Sequence, residues 1–157
     1  VSGPAGSGKG TVLGILLQNT EKYVYSVSAT TRAPRPGEID GVNYHFITKE
    51  DFLTRIEEGE MLEYTEYCGN FYGTPKKEAE EVLDAGKNLI LEIEVDGAMQ
   101  VKKKVRNSVA IMLTPPDGET LETIPFKDTA NYVEKINKNI KNYNNIYDMG
   151  YDYEKDI

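Results

Sequence analysis

The sequence predicts an α/β fold, a parallel sheet flanked by helices, with a small mixed insert and a helical lid. Three observations predict it. A glycine-rich loop near the start runs straight into an apolar helix; β-rich apolar runs alternate with helical patterns after residue 75; and a stretch rich in proline, arginine and hairpin signals, roughly 29–74, interrupts that rhythm. Strands alternating with helices build a parallel sheet through right-handed crossovers. A chain of 157 residues holds one such domain. It divides into a core over 1–28 and 75–116, an insert over about 29–74 and a lid or tail over about 117–157.

The elements follow in order. The loop at 3–9 leads into a helix over 11–17. A strand ordinarily precedes such a loop, so with Val1 in first place the true start is expected upstream. Residues 25–28, Tyr-Ser-Val-Ser, alternate like a strand, and 32–37 is loop because Pro34 and Pro36 forbid a helix or sheet interior. Thr48 stands three residues before Asp51, an N-cap pattern, with Phe52, Leu53 and Ile56 on one face of the following helix. Met61–Tyr67 and 71–73 read as a hairpin turning at Gly69 and Asn70. Pro75 suits the first turn of a helix that runs to about Ala85 and ends at Gly86. Residues 88–94 read as a buried strand, 97–105 as helix and 108–113 as strand. Past Pro115 the pattern weakens, with Tyr132, Val133, Ile136 and Ile140 on one helical face and Lys135, Lys138 and Lys141 on the other.

Composition excludes several function classes. Twenty-six acidic against 18 basic residues give a formal charge of −8, which argues against broad nucleic-acid or anionic-membrane binding, since both need a basic surface. An anionic ligand must then be held by a few placed cations. Cys68 is the only cysteine, so no intramolecular disulfide forms, and no apolar run reaches the length of a transmembrane helix. A soluble cytoplasmic protein is the expectation.

Gly3, Pro4, Ala5, Gly6, Ser7, Gly8, Lys9, Gly10 and Thr11 contain the G-x-x-x-x-G-K core of a triphosphate-binding loop. Its glycines let backbone N–H groups converge on phosphate oxygens, and the helix behind adds its positive end. Lys9 supplies a mobile charge for the β- and γ-phosphates. Gly10 stands where the strict motif has Ser or Thr, so the magnesium-side hydroxyl falls one residue later, on Thr11.

Downstream, Arg32 and Arg35 lie three apart on a proline-stiffened loop and can close on one phosphate from two sides. The full run from Ser26 to Glu38, S-V-S-A-T-T-R-A-P-R-P-G-E, is followed by Gly41 and Tyr44, by Glu63, and by G-N-F-Y-G-T over 69–74. In order and spacing this resembles the guanylate kinase family, from Gly3 to about Pro116. The resemblance implies a kinase that transfers the γ-phosphoryl of ATP to GMP with Mg²⁺. It implies that Arg32, Arg35, Tyr44 and Tyr72 hold the GMP phosphate, with Lys9, Arg32 and Arg35 carrying the catalytic charge. Glu63 would accept from guanine N1–H and the exocyclic amine, with Ser28 and Thr74 on other base-edge atoms. The chemistry is sound by itself, because guanine presents two adjacent donors where adenine has an acceptor at N1. Glu92 and Glu94 sit two apart at a strand end and share one side. Glu92, with Thr11, is open to an outer-shell role at magnesium, and Glu94 is placed to reach the acceptor base. His45 has no histidine or cysteine cluster around it and is read as structural.

The tail departs from the family. Its lid arginines would stand at Ile124, Asp128 and Asn139, and no arginine follows Arg106, leaving Lys127, Lys135, Lys138 and Lys141 as partial substitutes. Lysine lacks the bidentate fork, so slower phosphoryl transfer is expected of such a lid. Two rivals stand beside the kinase reading: a guanylate-kinase-like module that binds a protein partner with impaired catalysis, and a kinase for another nucleoside monophosphate. Lys9 and the intact arginine–tyrosine clamp oppose the first, and Glu63 with Thr74 opposes the second.

Overall fold

A computed structural model of the chain describes residues 1–3, 7–18 and 21–114. The expected positions of Pro4, Ala5 and Gly6, and the whole lid from 117 onward, lie outside those residues. Two sheets organise the described chain.

The first is parallel. β1 (Tyr23–Tyr25) pairs with β6 (Asn88–Ile90) in parallel, Tyr23 opposite Asn88. Beyond β6 the chain stays extended: the Val1 amino group donates to Leu91 O at 2.7 Å, and Ile93 N donates to Val1 O at 3.1 Å. On the other flank Ser2 bridges Met112 in parallel, through Ser2 N to Ile111 O and Leu113 N to Ser2 O. Residues 1–3 therefore occupy the strand position ahead of the loop, between the 88–93 and 111–113 segments. The expected 108–113 strand is confined to its last residues. Gly3 is required here by close approach, because a Cβ would drive into the Leu113 carbonyl.

The second sheet has the order β3-β2-β5-β4. β2 (Ala29–Thr30) runs parallel to β3 (His45–Phe46) and antiparallel to β5 (Asn70–Pro75), which pairs antiparallel with β4 (Met61–Tyr67). The hairpin turns one residue earlier than the sequence suggests. Cys68 (φ 49°) and Gly69 (φ 76°) are both left-handed, while Asn70 already pairs with Tyr67. Two successive positive φ values are what a two-residue turn matched to strand twist demands. Residues 26–28 are not strand either: β1 ends at Tyr25 and β2 starts at Ala29, and the segment between bends from one sheet to the other.

Helices close the layers. α1 (Lys9–Gln18) springs from the glycine-rich loop and buries Leu13. α2 (Lys49–Glu57) is capped as expected, Asp51 N donating to Thr48 Oγ1 at 3.1 Å. Phe52 is fully buried and Ile56 half-buried, but Leu53 is 40% exposed, since adjacent helical positions diverge by about 100°. Phe52 packs with Ala29 and Met61, and stacks on Phe71 at 5.5 Å between ring centroids. α3 (Lys76–Asp84) starts one residue after Pro75, which closes β5, and Gly86 ends it with φ 72°. α4 (Val95–Lys104) buries Val95, Gly97, Ala98 and Val101 against the rest of the chain.

Candidate active site

A cleft of ≈ 280 Å³ opens between the two sheets. Of the residues singled out in the sequence, Lys9, Ser28, Tyr44, Glu63, Tyr72, Glu92 and Glu94 line it. Elements distant in sequence thus meet: the start of α1, the end of the 88–93 segment, and β4 with β5.

Glu63 is the most constrained of them. A bulge between Met61 and Glu63 shifts the β4 register immediately before it, and bulges commonly re-aim a side chain beside a site. Glu63 then pairs with Thr74 across the strands, and Thr74 Oγ1 donates to Glu63 Oε1 at 2.7 Å. Both are buried, Glu63 at 2% exposure. Burial pushes the Glu63 pKa up, while the Thr74 hydrogen bonds pull it back down. A buried carboxylate accepts several hydrogen bonds when ionised, so a ligand with adjacent N–H donors would relieve the strain on this one.

Arg32 stands beside the cleft, behind Tyr44. Its guanidinium forks onto Glu38, at 2.9 Å to Oε2 and 2.8 Å to Oε1, and lies over the Tyr44 ring at 5.4 Å. Tyr44 meets Tyr72 edge-on at 6.1 Å, and burial raises the Tyr44 pKa. Glu38 also accepts from Arg35 N at 2.6 Å, and the Arg32 fork holds the Glu38 carboxyl below its ordinary range. Neither arginine is in the cleft lining: Arg32 stands behind it against the Tyr44 ring, whereas Arg35 is exposed, so the structure brings one of the two arginines together with the tyrosines.

Lys9 lines the cleft as well. Its ammonium donates to Gly3 O at 2.8 Å and lies 3.9 Å from Glu92 Oε1. Tyr25 donates its hydroxyl to Glu92 Oε2 at 2.9 Å, and burial together with Glu92 raises the Tyr25 pKa. Ser7 Oγ is buried with no hydrogen-bond partner among the described residues. Gly8 takes φ 84°, a left-handed value that L side chains rarely adopt. Thr11 is exposed in the first turn of α1. His45 Nε2 lies 3.1 Å from Glu78 Oε2. Among the described residues no three His, Cys, Asp or Glu side chains are grouped to hold a metal ion, and no helix is long and apolar enough to cross a membrane.

Sequence reasoning missed Tyr25, Asn43 and Tyr67 in the lining, and gave Glu38 no role. Glu38 carried a signal, an acid three residues after the second of two arginines. The others carried none, because tyrosine and asparagine serve equally well as surface or strand residues.

The family model described as guanylate kinase matches residues 1–155. A guanylate kinase of Clostridium perfringens (strain SM101 / Type A) is 54% identical over 122 residues, covering 78% of this chain and 56% of the relative. A guanylate kinase of Streptococcus pneumoniae (strain ATCC BAA-255 / R6) is 57% identical over 122 residues, covering 77% and 59%. The crystal structure of guanylate kinase from Anaplasma phagocytophilum superposes with a TM-score of 0.71 at 38% identity, covering 87% of this chain and 70% of that one. The chain spans less than three fifths of the length of these curated relatives, at 56% and 59%. With the phosphate loop, the cleft and these likenesses taken together, the chain belongs to the guanylate kinase family.

Proposed function

We propose that the chain carries the site of a GMP kinase, which moves the γ-phosphoryl of ATP to GMP and yields ADP and GDP. The observation that carries the reading is the buried Glu63–Thr74 pair, whose carboxylate lines the same cleft as Lys9. Guanine offers N1–H and an amine to one carboxylate, whereas adenine would leave that carboxylate unpaired, which costs about 1–3 kcal/mol or more for a charged group. A GMP phosphate oxygen attacks the γ-phosphorus as the bond to the β–γ bridging oxygen breaks. The protein supplies position and charge rather than a nucleophile.

In this reading Arg32, Arg35, Tyr44 and Tyr72 take the GMP phosphate, Ser28 and Glu94 flank the base, and residues 3–11 with Lys9 take ATP. The Glu38 carboxylate fits the Arg32 fork as a phosphate would, which supports the fork as an oxyanion site. Magnesium would accompany the triphosphate. Glu92, a partly exposed carboxylate beside Lys9, suits an ion held mainly by phosphate and water, and Thr11 would add a hydroxyl. That metal would neutralise charge on the transferring group. The division into core, insert and lid belongs to the same proposal.

A coupled assay offering GMP, dGMP, AMP, CMP and UMP with Mg-ATP tests the reading. GMP is expected to exceed AMP in kcat/KM by at least ~100-fold, within the range for sites with buried polar partners. Equal use of AMP would sink the guanine assignment. Absence of turnover with retained GMP binding would favour the binding-module alternative.

A further inference from the structure

The Thr74 hydroxyl fixes one oxygen of Glu63, but the β4 backbone that carries the side chain needs support of its own. β4 is an edge strand, with β5 on one side only, and an edge strand carries unpaired N–H and C=O groups along its free flank. α4 covers that flank. Gln100 Oε1 accepts from Tyr64 N at 3.2 Å and Gln100 Nε2 donates to Tyr64 O at 2.6 Å. A carboxamide presents the same donor and acceptor as a peptide group, so Gln100 pairs with Tyr64 as a strand residue would. Lys104 Nζ donates to Leu62 O at 2.6 Å. The two contacts bracket Glu63 in sequence, one on the residue before it and one on the residue after.

Gly97 completes the face. A Cβ built on it would overlap Glu63 Oε2 and lie 3.0 Å from Glu63 Cδ. The carboxylate therefore rests on the bare backbone of the first turn of α4. Positions 97, 100 and 104 follow i, i+3, i+7 spacing and share one helical face.

We infer that this face of α4 is a positioning device for base recognition: Gln100 and Lys104 lock the β4 backbone on either side of Glu63, and Gly97 leaves the space that lets its carboxylate point into the cleft. The inference rests on the GMP reading and adds residues that touch no substrate. Its signature separates aim from stability. Alanine at 97 improves helix propensity and meets the end of one side chain rather than backbone, so the fold is retained while the carboxylate is displaced and its Thr74 hydrogen bond is lost.

The experiment measures equilibrium GMP and ATP binding, thermal unfolding, and kcat/KM with GMP and IMP, which lacks the exocyclic amine. Gly97→Ala is expected to weaken GMP binding at least about tenfold, leave ATP binding within about twofold, lower Tm by no more than loss of the Thr74 hydrogen bond would, and lower the GMP-to-IMP preference. Gln100→Leu, which leaves Gly97 intact, is expected to act in the same direction, and carries the test should Gly97→Ala fail to fold. In a Glu63→Gln background the added Gly97→Ala is expected to change GMP binding by less than about twofold, because there is no carboxylate left to misdirect. Overturning results are GMP binding unchanged in both single variants, an equal loss for ATP, or the same loss in the Glu63→Gln background. A wild-type chain that binds no GMP at all would instead overturn the functional reading, and this inference with it.

Discussion

Thr74→Val isolates the hydroxyl that supports Glu63. The two side chains are buried, paired across β4 and β5, and joined at 2.7 Å. A hydrogen bond to a charged group contributes about 1.5–3 kcal/mol, and its loss leaves the carboxylate one donor short. Removing a donor to the ionised form raises the folded-state Glu63 pKa further. The sign follows from the starting point. Burial already holds the Glu63 pKa above its ordinary value, so the folded state keeps a proton that the unfolded chain has lost. Stability associated with Glu63 is therefore present below the unfolded pKa of about 4.3 and falls as pH rises through the folded pKa. Thr74→Val extends that fall upward. The deficit against wild type is expected to be small near pH ~4, to open between the two folded pKa values, and to reach ~1.5–3 kcal/mol above both. For a chain of this size that is a Tm drop of about 3–12 °C. GMP binding, which the functional reading couples to the ionised carboxylate, is expected to weaken on acidification with a midpoint above that of the wild type. Thermal melts and GMP titrations across about pH 4–8.5 read both effects. A deficit equal at every pH, or a midpoint unmoved, would refute the electrostatic account and leave only lost packing.

Two further perturbations address other parts of the structure. Lys9→Ala is expected to remove ATP-dependent turnover by ~100-fold or more while GMP affinity stays within about twofold, because the ammonium serves the donor phosphates; single-turnover kinetics beside GMP titration would separate the two, and a wild-type kcat would place ATP elsewhere. Gly73→Ala would put a Cβ 2.7 Å from Glu63 O, 3.0 Å from Tyr64 Cβ and 3.1 Å from Phe52 Cζ. Two of these neighbours are backbone or strand-fixed, so an overpacking loss of about 1–3 kcal/mol is expected in denaturant unfolding, and an unchanged midpoint would contradict the observed packing.

Fold legibility followed the strength of local signals. The capped helix at Thr48 carried chemistry that only one local structure satisfies, whereas the apolar run at 88–94 pairs as strand only over Asn88–Ile90 and stays merely extended beyond it. The hairpin turn slipped by one residue because Gly69 and Asn70 both tolerate left-handed backbone, whereas the structure gives that role to Cys68, a residue with no such preference. Residues 25–28 alternate in polarity, yet only Tyr25 belongs to a paired strand, since alternation reports two different environments and not a partner strand. The strand ahead of the loop was expected upstream because three residues are too few to show a period; its identity emerges only from hydrogen bonds to segments some 90 and 110 residues away.

The site divides along the same line. Lys9 and Arg32 stood out because glycine-rich loops and paired arginines are uncommon arrangements, whereas Glu63, one of several acids in its stretch, stood out only through the resemblance to the family. What orients them did not stand out. Glu38 reaches Arg32 through a bend in the 32–38 loop, and Tyr25 reaches Glu92 from a strand 67 positions earlier. Gly97 looks like a helix-weakening glycine until its distance to the Glu63 carboxylate is known. A motif records the groups that meet a ligand, since those must keep their chemical identity. The groups behind them need only supply a hydrogen bond, a charge or an absence of atoms at one point in space. Many residue types and sequence separations provide that, so the supporting layer leaves little trace in the sequence and appears only when the chain is folded.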